Sequence, residues 1–352
     1  MTMNNSTSNF SDGSSCKHLE PSAQEGSDVA KWISLIEAIG IITLNSALIY
    51  LLSKRKKPSR MAFFVHHLAI ADLAVGLLYV LPECIFDRFL NSWEWFSCMV
   101  LYGYCANLTI YASTFLIVVL TIDRLFVITK PLSASTTGKK YRYGLISGAW
   151  LLAVLLALPY ALHVKFLCTN LGNLCGHGFK NKKAMIIAEL FINLIIPVII
   201  ITFCYTWIVF VIVRRERAGF GCPAQKVRFS NGSTTLTGHF QKMESSNSSV
   251  INSAKKKTIK VLFVVVIVYI LSWAPINFAQ VLNVFNILKH GDEFIYLHML
   301  APINSLTNPL VFIWFNRQLF KTEKTTHKGY TTTCHTEQEV HQTDITVKRS
   351  LI

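Results

Sequence analysis

The feature that most constrains this chain is its division into long apolar runs separated by short polar segments. The runs fall at about 32–52, 61–86, 98–124, 143–164, 184–213, 259–288 and 294–314. A helix of roughly twenty residues spans about 30 Å, the thickness of a bilayer's hydrocarbon core. None of the runs alternates as a barrel strand would, so each must satisfy its own backbone hydrogen bonds as a helix. The expected fold is therefore an all-α membrane protein, a bundle of seven transmembrane helices. Composition agrees, since 52% of residues are hydrophobic and only 15% are charged.

The net charge of +15 raises nucleic acid as a partner. The basic residues, however, gather in alternate loops: Lys54, Arg55, Lys56, Lys57 and Arg60 after the first run, then Lys139, Lys140 and Arg142 after the third. That bias is the positive-inside pattern, which removes the case for nucleic acid and assigns those loops to the cytoplasm. The N-terminus is then outside and the C-terminus inside. Residues 1–30 read as a polar extracellular tail in which Asn4, Asn5 and Asn9 each begin a glycosylation sequon, usable only on that side. No apolar h-region follows Met1, so the first span is expected to export this tail by itself. The bundle covers 31–321, with 214–257 as a long third intracellular loop and 315–321 as a short amphipathic helix 8 on the inner leaflet. Residues 322–352 read as a disordered, Thr-rich cytoplasmic tail.

Polar residues inside spans are costly and mark function. Glu83, Glu189 and Asn193 lie in the outer halves of their spans, and Glu189 and Asn193 share a helix face. They are expected to line a cavity and meet a basic group of a ligand, with Glu37 as a further member. The alternative is pairing within the bundle or snorkelling to the interface. Asp72, alone in the middle of the second run, calls for a proton or for a hard cation held by oxygen ligands. Pro275 removes a helix hydrogen bond just beyond Trp273 and permits a kink. Trp93 and Trp95 suit an interfacial loop, and Asn170 to Asn173 suits a hairpin turn. Cys98, Cys168 and Cys175 face an oxidising space, whereas Cys84, Cys105 and Cys204 read as small apolar fillers. No nucleophile–base pair or metal-spaced His cluster is visible, so an enzyme is not expected. A transporter or channel would want a continuous polar path and often inverted repeats. Here the polar residues gather in one mid-membrane cluster. No Lys lies in 294–314 to hold retinal.

Asp72, Asp123-Arg124, Trp273-Ala274-Pro275 and Asn308-Pro309, each in its proper span and order, resemble the rhodopsin-like (class A) G-protein-coupled receptors over about 32–321. Within them, Val80-Leu81-Pro82, Asp87, Tyr111-Ala112-Ser113, the run from Val268 to Pro275, Gln280 and Asn304-Ser305 are similar to the vasopressin/oxytocin branch of neuropeptide receptors. Neuropeptide S and cardioactive peptide receptors are the near alternatives. The resemblance implies a plasma-membrane receptor for an extracellular peptide, coupled to a heterotrimeric G protein of the calcium-mobilising class. Arrestin, receptor kinase and membrane lipid are the further partners, with no cofactor beyond a modulatory sodium ion.

The same resemblance implies the residue roles. Asn107, Asn277, Gln280 and His298 join Glu83, Glu189 and Asn193 as ligand contacts, with Phe278 and Phe294 as further candidates. Trp273, Pro275, Tyr269 and Pro197 form the switch, with Thr114 packed beside them. Asp123, Arg124, Tyr205, Leu132, Asn308, Pro309 and Phe312 serve G-protein coupling. Sodium is assigned to Asp72, Ser113, Asn304, Ser305 and Asn308. A disulfide joins Cys98 to Cys175, with Cys168 as rival and Cys16 as partner for whichever remains. Cys334 is a palmitoylation candidate and Thr331 to Thr333 are phosphorylation candidates.

The departures are specific. Tyr79, Glu83 and Ala106 stand where the branch carries glutamines. The third span reads Asp-Arg-Leu, and Phe312 replaces a usual Tyr. Cys98 lies one residue further from Arg124 than in typical members, which predicts an irregular turn at the outer end of that helix. Lys255 stands where an acid usually anchors Arg124, predicting a weaker lock and measurable basal activity. The missing hydroxyl at Phe312 argues the opposite way.

Overall fold

The computed structural model describes residues 27–55, 59–169, 172–220, 263–288 and 293–315. The chain divides at Phe315, and the second unit, Asn316–Ile352, lies outside the described residues. The helices are α1 (Ser27–Ser53), α2 (Arg60–Phe89), α3 (Trp95–Thr129), α4 (Pro131–Thr136) and α5 (Lys139–Leu162). They continue as α6 (Lys182–Arg215), α7 (Phe263–Val284), α8 (Glu293–Leu300) and α9 (Ile303–Phe315). Six of them are long and apolar enough to cross a bilayer, with mean hydropathy between 1.8 and 2.6. The seventh span is split into α8 and α9 because Pro302 has no N–H to continue the ladder. The chain is a multi-pass membrane protein.

Helix α3 is the axis: 67% of its apolar window is buried, against 22–50% for the other five spans. It runs past the Asp123-Arg124 pair to Thr129, because Leu125 to Ile128 continue its apolar face. Pro131 then opens α4 at its first turn, where a missing N–H costs nothing. Between α5 and α6, strand β1 (Val164–Leu167) pairs antiparallel with β2 (Leu174–His177). This hairpin marks one end of the bundle, called the hairpin end below. Arg124 marks the other.

Near the hairpin end three helices loosen into wide π turns, with backbone N–H groups reaching five residues back. They span Gly76–Val80 and Cys84–Phe89 in α2, Cys98–Cys105 in α3 and Phe191–Ile195 in α6. Two have a proline as their cause. Pro82 and Pro197 lack the N–H that would close the preceding regular turn, and the wide turn absorbs the mismatch. The turn at Cys98–Cys105 is the irregularity expected from the extra residue there. Helix α7 ends with Asn286 in the left-handed region (φ 60°). Ile287 and Asn286 N–H groups bond back to Leu282 and Asn283, closing its last carbonyls.

The 2–3 connection is stapled to the hairpin. Trp93 N–H donates to the Asn173 carbonyl at 2.9 Å, and its indole N–H donates to Asp87. Trp93 is 2% exposed and Trp95 60%, so only Trp95 suits an interfacial position. Gly172 has φ +132°, and a Cβ there would meet the Asn91 carbonyl oxygen at 2.1 Å, so no other residue fits that approach.

Candidate functional site

A cavity of about 720 Å³ opens at the hairpin end. Its wall contains all seven residues expected there: Glu83, Asn107, Glu189, Asn193, Asn277, Gln280 and His298. Phe294 joins them, whereas Phe278 is 51% exposed and points away from the cavity. The π turns supply much of the wall: Tyr79, Asp87, Arg88, Tyr102 and Asn193 all belong to them. A wide turn shifts the following side chains around the helix, which is how α2 brings Arg88, five residues on, to the side of Glu83. Trp273 lies at the cavity surface, 9% exposed, and its indole N–H has no acceptor among the described residues.

The carboxylates near the cavity differ in their partners. Glu83 pairs with Arg88 at 3.0 Å. Asp87 takes the Trp93 indole N–H. Glu37 is buried, and its Oε1 has no donor among the described residues. Glu189 faces the Tyr160 hydroxyl and has no cationic partner among the described residues. Tyr160 in turn accepts from Tyr111 at 2.9 Å. Glu189 is thus the carboxylate best placed to receive a positive group from outside the protein.

The hairpin covers the cavity through Cys175 and His177. Cys175 is bonded to Cys98 across 77 residues. Cys168 is engaged in a disulfide of its own, and Cys16 lies outside the described residues. His177 stacks on Tyr102 with centroids 4.9 Å apart and meets Tyr160 edge-on. Burial pushes its imidazole down from 6.5 to about 4, and the neighbouring His163 adds to the shift.

Deeper in the bundle, Asp72 is fully buried and accepts from Ser113 (2.6 Å), Ser305 (2.8 Å) and Asn308 (2.9 Å). The break before α9 starts a fresh helix at Ile303, placing Asn304 and Ser305 in its first turn. Asn304 and Asn308 each keep a buried side-chain oxygen without a donor among the described residues. All five residues assigned to this cluster are buried.

Beneath Trp273 the switch residues are packed. Pro197 cannot donate to the Asn193 carbonyl four residues back, and the Tyr269 hydroxyl donates to that carbonyl instead. A proline in α6 is thereby tied to a tyrosine in α7. Pro275 lies between Trp273 and Asn277, whose side chain donates to the Trp273 carbonyl at 2.8 Å.

At the far end, Asp123 is fully buried and bonds Arg124 through Oδ2 at 2.6 Å. Its other oxygen is held by Arg60 at 2.6 and 2.8 Å. Arg60 also donates to the Ala134 carbonyl of α4 at 2.9 Å. Arg215 of α6 donates to Ile128 and Thr129, capping the last carbonyls of α3. Leu132 is 84% exposed on α4. Tyr205 lies against Phe263, with centroids 5.8 Å apart. Phe312 lines a small void of about 20 Å³ with Asp72, Asn308 and Pro309.

Sequence reasoning did not assign Arg60, Arg88 or Arg215 to any site. The expected sites at Asn4, Asn5, Asn9, Lys255, Thr331 to Thr333 and Cys334 lie outside the described residues, as does the short helix after Phe315.

Comparison with known proteins agrees with this layout. Residues 44–312 match the family described as 7 transmembrane receptor (rhodopsin family). The chain is 31% identical over 274 residues to the mesotocin receptor of Rhinella marina, covering 76% of this chain and 68% of the relative. It is 29% identical over 298 residues to the oxytocin receptor of Ovis aries, covering 82% and 75%. It is 30% identical over 287 residues to the vasopressin V1b receptor of Mus musculus, covering 75% and 66%.

Proposed function

The chain belongs to the rhodopsin family of seven-transmembrane receptors, and from that premise we propose that it binds an extracellular peptide carrying a basic group and activates a heterotrimeric G protein. The hairpin end faces outside and the Arg124 end faces the cytoplasm at the plasma membrane, in keeping with the basic loops. The peptide character is carried over from relatives named for mesotocin, oxytocin and vasopressin. The basic group is inferred from Glu189, a cavity carboxylate without a cation among the described residues.

One observation carries the mechanism. Helix α3 lines the cavity through Tyr102, Asn107 and Ile110 and carries the Asp123–Arg124 pair near its opposite end. A ligand in the cavity presses on Trp273, whose helix contains Pro275 and can bend where that residue lacks an N–H, and the far half of that helix swings away from α3. Arg124 then leaves Asp123 and turns towards Tyr205 and the C-terminal segment of the G protein, with Leu132 as the apolar knob. Only differential affinity for the two states drives this shift. The G protein is of the calcium-mobilising class. The Thr-rich tail serves receptor kinase and arrestin.

The Asp72 cluster fits a sodium ion in the resting state, because a buried carboxylate and hydroxyls are joined there by two amide oxygens that lack donors among the described residues. Asp72, Ser113, Asn304, Ser305 and Asn308 would hold it, and the ion would neutralise the buried charge.

The test is a calcium-reporter screen of short basic peptides on the native chain beside Arg124→Gln and Glu189→Gln. Arg124→Gln should bind an active peptide but give no signal, and Glu189→Gln should lose potency towards it. Signalling through Arg124→Gln at native strength would overturn the mechanism. Unchanged potency in Glu189→Gln would overturn the basic-group reading.

A further inference from the structure

We propose that Glu83 and Arg88 together form a subsite for a primary carboxamide of the ligand, an inference that rests on the peptide-receptor reading above. Both side chains line the cavity, and they are mostly buried, at 23% and 10% exposure. Among the described residues Arg88 gives one hydrogen bond, from Nη2 to Glu83 at 3.0 Å. Its Nε is buried and without an acceptor among the described residues. A guanidinium offers five N–H donors in one plane, so this one is under-used where it meets the cavity. Asp87, the neighbouring acid, takes the Trp93 indole N–H, and among the described residues the close ion pair of Arg88 is with Glu83.

The pair decides the chemistry of its guest. A ligand ammonium or guanidinium would have to displace Arg88 from Glu83, and Glu189 offers it a carboxylate without that competition. A free carboxylate would meet Arg88 but also Glu37, Glu83 and Asp87, all within electrostatic reach of that one guanidinium. A primary carboxamide carries no charge and presents an acceptor beside a donor. Its oxygen accepts from Arg88, and its NH2 donates to the Glu83 carboxylate. Both bonds are charge-assisted, and a site built around them rejects an analogue that cannot make both. The carboxamide is either a peptide's amidated C-terminus or an Asn or Gln side chain, which share this chemistry.

The probe is a library of short synthetic peptides, each with one Lys or Arg, made in matched pairs. One set of pairs differs in C-terminal carboxamide against free acid, the other in Asn or Gln against Asp or Glu. Calcium signalling is read for the native chain, Arg88→Gln, Arg88→Lys and Glu83→Gln, with surface display quantified by an N-terminal epitope. On the native chain one set should show a preference for the amide of about tenfold or more. The set that shows it identifies the source of the carboxamide. Arg88→Gln should abolish the preference, Arg88→Lys should weaken it, and Glu83→Gln should raise the acid's potency. Active peptides with no amide preference in either set, or a full preference surviving in displayed Arg88→Gln and Arg88→Lys, would overturn the subsite and leave the peptide reading standing. A library that is silent on the native chain would remove the peptide reading and the subsite with it.

Discussion

Arg60 and Asp123, 63 residues apart, are joined at two points, with Nε and Nη2 of the arginine both on Oδ1 of the aspartate. The aspartate is fully buried and shares its remaining oxygen with Arg124. One carboxylate therefore holds two guanidinium groups, and neither has it alone.

That sharing sets the strength of the lock. Removing Arg60 leaves Asp123 to Arg124 and should tighten the resting state. Removing the charge of Asp123 releases both cations and should loosen it. The expected outcome is lower ligand-independent nucleotide exchange in Arg60→Leu and higher exchange in Asp123→Asn, measured with membranes matched for surface protein. Arg60→Leu also cuts the tether to Ala134, so agonist-driven coupling through Leu132 should fall as well. Basal exchange that rises in Arg60→Leu would show that the tether, and not the shared charge, controls the resting state.

The Tyr269 hydroxyl on the Asn193 carbonyl compensates for a donor that Pro197 cannot supply. Tyr269→Phe should leave a buried carbonyl unsatisfied and cost about 1–3 kcal/mol. Pro197→Ala restores a backbone N–H, so the cost of Tyr269→Phe should shrink in that background. Melting curves of the four purified proteins in detergent give the coupling directly. Strict additivity would mean that the hydroxyl is not substituting for the missing proline donor.

The Asp72 cluster makes a separable prediction about salt. If sodium binds the folded resting state, sodium chloride should raise the melting temperature over choline chloride at equal ionic strength. At tenfold excess over the dissociation constant the gain is about 1.4 kcal/mol. Asp72→Asn and Asn304→Ala should each erase the difference between the two salts. An equal difference in the native chain and Asp72→Asn would place the ion elsewhere.

The apolar runs made the spans legible, because a bilayer leaves a helix few alternatives. The cavity wall was legible in its helical positions, and the wide turn before Ala106 could be counted from the extra residue after Cys98. The arginines were not. Arg60 reads as one of a string of loop charges, yet its side chain reaches back to α3 across 63 residues of sequence. Arg215 likewise reaches Ile128 across 87 residues. Such reach depends on where a long flexible side chain finds an unpaired acceptor, which only the packed structure decides. Arg88 was hidden for another reason. It lies in a wide turn whose rotation no local pattern reports, and regular helical spacing would aim it elsewhere. Trp93 read as interfacial because its burial depends on the hairpin closing over it.

Stability that depends on pH is expected from His177, which the hairpin buries against the bundle. The residue sits among Tyr102, Tyr160 and Phe179, and the nearby His163 opposes its protonation. Its folded value is about 4 and its ordinary value 6.5. Below pH 6.5 the unfolded chain therefore takes a proton that the folded chain refuses until about pH 4. Stability rises with pH wherever the unfolded state binds more protons. The contribution is thus fully present above pH 6.5, falls as the pH drops towards 4, and levels off below that. The full loss is up to about 3 kcal/mol. His177→Phe keeps an aromatic ring against Tyr102 and removes the titration. The measurement is the melting temperature of both proteins in detergent from neutral pH downwards. The native curve should fall away from the His177→Phe curve between pH 6.5 and 4 and run parallel to it above. Curves that stay parallel across that window would mean that the imidazole is protonated in the folded receptor and that the hairpin closes over a cation.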